Sequence, residues 1–179
     1  ASRKTVLITG CNRGIGKEAV RLFAHNGYNL ICCIRKENPE FMDFLNSLKA
    51  GNNIDIDVLY FDMTDEESIK EALKPILKEK RQIDVLINNA GIATGGFLQM
   101  TSMKQLKEVF QITYFSHVLV TQLITKLMMR QKSGCIINMG SVAGLDNFAG
   151  YTAYGASKAA MMAFTRTVAR ELAPYNIRL

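Results

Sequence analysis

Tyr154 and Lys158 stand four positions apart in the stretch "YGASK". On a helix that spacing brings two side chains onto one face, with the ammonium beside the phenol. A phenol with an ordinary pKa of about 10 exchanges protons poorly at neutral pH, and an adjacent cation favours its phenolate form. Such a pair suits general acid–base chemistry. The same two residues also occur at this spacing on solvated helix faces, so the rest of the chain must decide between the two readings.

A second stretch, "TGCNRGIG" from position 9 to 16, has a different capacity. It follows an apolar, strand-like run and opens a helical one, where Gly10, Gly14 and Gly16 permit a tight turn and close backbone approach. Free N–H groups at the start of that helix can receive a pyrophosphate. The competing reading is a plain strand-to-helix turn. No metal site is expected: Cys11, Cys32, Cys33 and Cys135 lack a C-x-x-C spacing, and the chain has two histidines, His25 and His117. The thiols read as reduced and structural, His25 as an exposed helix residue and His117 as a helix-face residue; neither histidine is assigned a role.

These groups need elements to hold them. Short apolar runs alternate with longer amphipathic segments, the pattern of strand and helix units around a parallel sheet, all within one domain over residues 1–179. Strands are predicted at 5–9, 30–34, 57–61, 84–91 and 135–139. The first helix is expected over 15–26, with Ile15, Ala19, Leu22 and Phe23 as its packed face and Gly27 as its stop. Pro39 opens a helix over 39–49, and Thr64 or Asp65 caps another within 64–80. Helical sequence over 102–132 is expected to break near Thr113, and Val118, Leu119, Leu123, Leu127 and Met128 give its second part a packing face. Tyr154 and Lys158 fall in a last helix, 152–172, and "NIRL" reads as the start of a strand.

With 48% hydrophobic and 21% charged residues, the composition is that of a folded domain and excludes disorder. The net charge of +6 is scattered over Arg35, Lys36, 78–81 and 126–132 rather than gathered in a long block, so nucleic acid binding is not demanded. The excess suits an anionic cofactor or an acidic acyl carrier as well as plain solvation. The apolar runs are strand-sized and no signal-like segment opens the chain, so no membrane partner and a cytoplasmic location are expected.

Three residues separate Gly10 from Gly14, a spacing that matches TGxxxGxG of the short-chain dehydrogenase/reductase family. The resemblance extends along essentially the whole chain: "NNAG" at 88–91, the acid Asp62 in "FDMTD", and Ser141 in "GSVAG", thirteen residues before Tyr154. In pattern the chain is similar to members of the 3-oxoacyl-[acyl-carrier-protein] reductase type. The resemblance implies an α/β fold, a Rossmann-type doubly wound parallel sheet with helices on both faces, here without the C-terminal strands that family members add after "NIRL". It also implies the cofactor-binding positions: Gly10, Asn12, Arg13, Gly14, Ile15 and Gly16 in the loop, Arg35 after the second strand, Asp62 and Met63 after the third. Asn89, Ala90 and Gly91 follow the fourth, and Tyr154 and Lys158 complete the set.

By the same resemblance, Ser141 and Tyr154 hydrogen-bond a substrate carbonyl, Tyr154 supplies a proton, and Lys158 holds the nicotinamide ribose while biasing the tyrosine. Thr113 stands where the family has an asparagine that helps to hold a relay water, 28 residues before Ser141, and its hydroxyl lacks the amide's paired donor and acceptor. Ile34 replaces the acid that reads the ribose of NAD, and Arg35 and Arg13 can instead clamp a 2′-phosphate, so NADP(H) is the expected cofactor. The expected activity is NADPH-dependent reduction of a carbonyl, with a 3-oxoacyl thioester as the leading substrate and sugars, steroids or small alcohols as others. The alternative is an NADP(H)-binding protein with weak or no catalysis. A homodimer or homotetramer is expected through the helix pair 113–132 and 152–172, surfaces that family members commonly use.

Overall fold

The computed structural model describes residues 3–146 and 148–179. Asn147, within the loop that follows Ser141, lies outside the described residues. Six strands form one parallel sheet: β1 (Thr5–Thr9), β2 (Asn29–Ile34), β3 (Ile56–Tyr60), β4 (Val85–Asn88), β5 (Gly134–Asn138) and β6 (Ile177–Arg178), in the spatial order β3-β2-β1-β4-β5-β6. The helices between them are α1 (Gly14–His25), α2 (Pro39–Asn52), α3 (Glu66–Lys78), α4 (Met103–Phe110), α5 (Ser116–Gln131) and α6 (Thr152–Leu172). β1 pairs with both β2 and β4, so the direction of winding reverses between β1 and β4. In doubly wound sheets that reversal opens a crevice beyond the carboxyl ends of the two strands.

Side-chain alternation along the strands splits the core into two layers. Val6, Ile8, Leu30, Cys32 and Ile34 pack with Val20 and Ala24 of α1 and Phe41, Leu45 and Leu48 of α2. Leu7, Ile31, Cys33 and Leu86 face the opposite way, onto Ile69 and Leu73 of α3 and Val120, Ile124 and Met128 of α5. Both sheet faces are therefore covered, which explains why the central strands read as continuous apolar runs. The helix starts follow their local chemistry. Asn38 caps α2, accepting from the Phe41 N–H at 3.2 Å with Pro39 in the first turn, and Asp65 caps α3, accepting from Glu67 and Ser68 at 3.0 and 3.3 Å.

Two helix faces differ from expectation. α1 buries Gly16, Val20 and Ala24, while Ile15 and Leu22 are 67% and 61% exposed. Ala19 and Phe23 pack only at the edge of that layer. Gly16 brings the start of the helix against the Gly10 carbonyl and Asn89, and Val20 and Ala24 then face the apolar layer. α5 buries Val120, Ile124, Leu127 and Met128 together with the polar His117, Thr121 and Thr125. Leu119 and Leu123 lie at its margin, and Val118 is half-buried.

Cys11, Cys32 and Cys33 are buried, and Cys135 is half-buried, all as free thiols. The neighbouring Cys11 thiol and then burial push the Cys32 pKa up; burial, then Cys11, raises that of Cys33. Such thiols are poor nucleophiles, in keeping with a structural role.

Candidate active site

The glycine loop is shaped by backbone contact with the end of β4. Gly10 has φ +63°, and a Cβ there would lie 2.6 Å from the Ala90 Cα; a Cβ on Gly16 would lie 2.4 Å from the Gly10 carbonyl oxygen and 2.5 Å from Asn89 Nδ2. Only glycine fits so close an approach. The Asn89 amide donates to the carbonyls of Thr9 and Gly10 at 3.1 and 2.9 Å, while the Thr9 hydroxyl accepts from the N–H groups of Asn89 and Ala90 at 3.0 and 3.1 Å. Asn89 thus locks the loop to β4, and both its amide protons are engaged there. Arg13 precedes α1 without a capping side-chain bond, leaving the first N–H groups of that helix open to an anion.

α6 carries Tyr154 and Lys158. Tyr154 is half-buried, and Lys158, 3% exposed, lies with its Nζ 5.8 Å from the Tyr154 ring centroid. The ammonium donates to the Met139 carbonyl at 2.6 Å, and burial lowers its pKa from the ordinary lysine value. Ile15, Asn89, Gly91, Met139, Tyr154 and Lys158 line one open cavity of about 180 Å³. The glycine loop, the end of β4, the end of β5 and the "YGASK" helix therefore converge, as the crevice at the winding reversal requires.

Ser141 lies one residue beyond Gly140, which is in the wall of that cavity. Its hydroxyl is half-buried and accepts from the Ala143 N–H at 3.2 Å. The following turn presses directly on α6: a Cβ on Gly155 would lie 2.7 Å from the Ala143 carbonyl oxygen, and one on Gly144 would lie 2.9 Å from the Ala159 nitrogen. The small residues in "GSVAG" and "YGASK" thus set the distance between the serine loop and the tyrosine helix.

Among the outer residues, Arg13, Gly14 and Arg35 are exposed and Asn12 is half-buried. Ile34 turns into the core with Phe41, leaving no acid at the end of β2. The Thr64 N–H chiefly lowers the pKa of Asp62; burial opposes it, and the Thr64 hydroxyl and the Arg35 charge add smaller downward effects. Both Thr64 groups bind Oδ1 at 2.8 Å. The carbonyl of half-buried Met63 accepts from Ser116 Oγ.

The helix between α4 and α5 is disturbed where the sequence indicates. Gln111–Phe115 forms a π-turn containing Thr113, and such turns release backbone groups from regular pairing. Thr113 is fully buried; its hydroxyl donates back to the Val109 carbonyl at 2.5 Å, and its methyl lies 3.6 Å from where a Gly91 Cβ would sit. The hydroxyl therefore faces its own helix and the apolar tip faces the cavity wall.

Two features escape the sequence reading. Asn88 is buried and donates to Thr121 Oγ1 at 2.9 Å and Asn138 Oδ1 at 2.8 Å, and Asn138 donates to Thr165 Oγ1 at 2.8 Å, forming a polar seam through β4, β5, α5 and α6. His117, one turn before Thr121, is 1% exposed, and its Nε2, like Asn88 Oδ1, has no partner among the described residues. Burial, then the Lys158 charge, lowers its pKa to about 3 against the opposing effect of the Thr113 carbonyl. A polar residue on the inner stripe of an apolar helix was the available signal.

Residues 4–179 match the short chain dehydrogenase family. A 3-oxoacyl-[acyl-carrier-protein] reductase of Thermotoga maritima is 37% identical over 177 residues, which cover 98% of this chain and 71% of that protein. Two solved structures share the fold: ElxO with NADP bound (TM-score 0.89, 30% identical, covering 99% of this chain and 71% of that one) and NAD+-bound xylitol dehydrogenase (TM-score 0.88, 28% identical, 98% and 67%). No described helix is long and apolar enough to cross a membrane. The tyrosine–lysine helix, the glycine loop locked to β4 and the π-turn behind them now have a common explanation: the chain belongs to the short-chain dehydrogenase family of oxidoreductases.

Proposed function

We propose that this protein is an NADPH-dependent carbonyl reductase. The observation that carries the reading is the cavity shared by Tyr154, Lys158, Asn89, Gly91 and Ile15. The residues suit a dinucleotide: side chains at Gly10 and Gly16 would fill the cradle, the start of α1 is uncapped, and Asp62 Oδ1 is anchored by Thr64. Gly10, Asn12, Gly14, Ile15 and Gly16 hold the pyrophosphate side, Asp62 and Met63 the adenine side, and Asn89, Ala90 and Gly91 the wall by the nicotinamide. When bound, the nicotinamide supplies hydride to the substrate carbon. Ser141 donates a hydrogen bond to the substrate oxygen, and Tyr154 donates the proton that neutralises the developing alkoxide. Lys158 holds a ribose hydroxyl and keeps a positive charge near the Tyr154 ring, on the side where the developing alkoxide is stabilised.

Arg35 and Arg13 support NADPH over NADH. Both are exposed, near the end of β2 and the start of α1, and the buried Ile34 offers no carboxylate to repel a 2′-phosphate. A 3-oxoacyl thioester is the leading substrate, supported by the 37% identical reductase. A second reading, cofactor binding with little turnover, is favoured by one observation: the Thr113 hydroxyl is engaged by Val109. Binding of NADPH followed by assays on 3-oxoacyl thioesters and a panel of ketones separates the two. Tight binding with oxidation of NADPH supports the reductase; binding without oxidation by any carbonyl supports the second reading.

A further inference from the structure

Tyr154 lines the cavity that suits the dinucleotide, and the aromatic ring beside it, that of Tyr151, lines a second hollow of about 290 Å³. The two ring centroids lie 6.1 Å apart with planes at 55°, the range in which aromatic side chains pack. Ala143 of the serine turn also lines this hollow, and its N–H is bound to Ser141 Oγ at 3.2 Å. The hollow thus adjoins both groups assigned to the substrate oxygen. Of the residues around it only Tyr151 and Thr152 carry a polar side-chain atom, and none is charged.

The backbone holds Tyr151 in this place. Its N–H donates to the Phe148 carbonyl at 3.2 Å, and its own carbonyl accepts from the Gly155 N–H at 2.7 Å. Gly150, at φ +84°, accepts at its carbonyl from the Gly96 N–H at 2.7 Å, and Gly96 forms a parallel bridge with Tyr151. The loop after β4 is therefore tied to the start of α6, and the Tyr151 ring is left 40% exposed against Tyr154. Exposed Val142 follows Ser141, and exposed Phe97 follows Gly96. Exposed apolar side chains gathered beside reactive groups mark a ligand surface.

We propose that Tyr151 is a specificity-determining residue of the carbonyl site. Its ring is the wall on which an apolar substituent of the substrate lies, so the site takes carbonyls with alkyl or aryl groups in preference to polyhydroxylated ones. The inference rests on the reading of Tyr154 as the donor to the substrate oxygen. A carbonyl held there sets its substituents beside whatever flanks the Tyr154 ring. Lys158 and the dinucleotide cavity take one flank, and Tyr151 supplies another. Sugar hydroxyls brought to that surface would give up water for few hydrogen-bonding partners, whereas alkyl or aryl carbon gains by leaving water.

The test is a ligand-observed NMR titration of the protein saturated with NADP+, using the methyl ketones from 2-butanone to 2-octanone, acetophenone and dihydroxyacetone. It reads affinity, so it does not require turnover. In the parent, affinity should rise about two- to fourfold for each added methylene, the gain for a group half to fully removed from water, and dihydroxyacetone should bind more weakly than 2-butanone. Tyr151→Ala should weaken acetophenone about tenfold and 2-butanone by about twofold or less, while Tyr151→Phe, which keeps the ring, retains the parent's preference. A merely structural role would weaken all the ketones alike. NADPH oxidation with the same compounds is followed in parallel: an affinity gradient without oxidation would count against the reductase reading and support this one. Equal affinities along the parent's series, which needs no substitution, would overturn the proposal. So would an equal loss for 2-butanone and acetophenone in Tyr151→Ala, or a Tyr151→Phe protein that behaves like Tyr151→Ala.

Discussion

At the scale of single residues, the arrangement assigns separable tasks. Lys158 is held by Met139 with its charge near the Tyr154 ring, whereas Arg35 stands outside, within electrostatic reach of Asp62. Arg35→Ala should therefore weaken NADPH binding about tenfold or more while leaving NADH nearly unchanged, because a charge-assisted bond to phosphate is lost only with the phosphorylated cofactor. Parallel titrations with the two nucleotides check this; equal losses would refute the clamp. Thr113→Asn should raise turnover by a few fold, since an amide offers both a donor and an acceptor where the threonine hydroxyl is bound to Val109. A steady-state rate at or below that of the parent would remove Thr113 from the proton path.

Secondary elements act here mainly through how closely they approach one another. The serine turn rests on α6 at Gly155, where an added methyl would meet the Ala143 carbonyl at 2.7 Å. Alanine is the better helix former by about 1 kcal/mol, but overpacking against backbone costs about 1–3 kcal/mol. Gly155→Ala should lower the melting temperature and displace Ser141, which is two residues from the contact; an unchanged or higher melting temperature would contradict this packing. Most strand limits and the capped helices were legible because they depend on local chemistry, whereas β4 ends at Asn88 and not at Gly91, since Asn89 and Ala90 turn to bind Thr9. Pro39, Asp65 and the alternating apolar strands carry their own signals. The inner face of α1 was not legible, since Gly16 is fixed by its close approach to Gly10 and Asn89, and this turns Val20 and Ala24 inward while Ile15 and Leu22 remain outside. His117 was obscured for a related reason: periodicity places it on a stripe, but the burial of its Nε2 without a partner depends on what tertiary packing sets around it.

For the whole molecule, the buried imidazole links acidity to stability. The folded-state pKa of His117 is about 3, below its ordinary 6.5, so between those values the unfolded chain binds the extra proton. Stability from this group is complete above about pH 6.5 and is lost as pH falls towards 3, with a slope of about 1.4 kcal/mol per pH unit. Asp62 adds its own loss only below its ordinary 3.8. Urea denaturation from pH 7 to 4 should show that fall, and His117→Gln should flatten it; an unaltered slope in the variant would assign acid sensitivity elsewhere. The topology and the glycine loop announced the family because each motif sits at a strand end that the winding reversal brings together. The chain spans 67 to 71% of the length of the three proteins compared.

The most direct measurement is NADPH consumption with a 3-oxoacyl thioester by the parent and by Tyr154→Phe, with NADPH affinity determined on both. The account predicts that the variant binds the cofactor within about threefold of the parent and loses at least about a hundredfold in kcat, the usual contribution of a positioned acid. A phenylalanine variant that turns over as fast as the parent would contradict it.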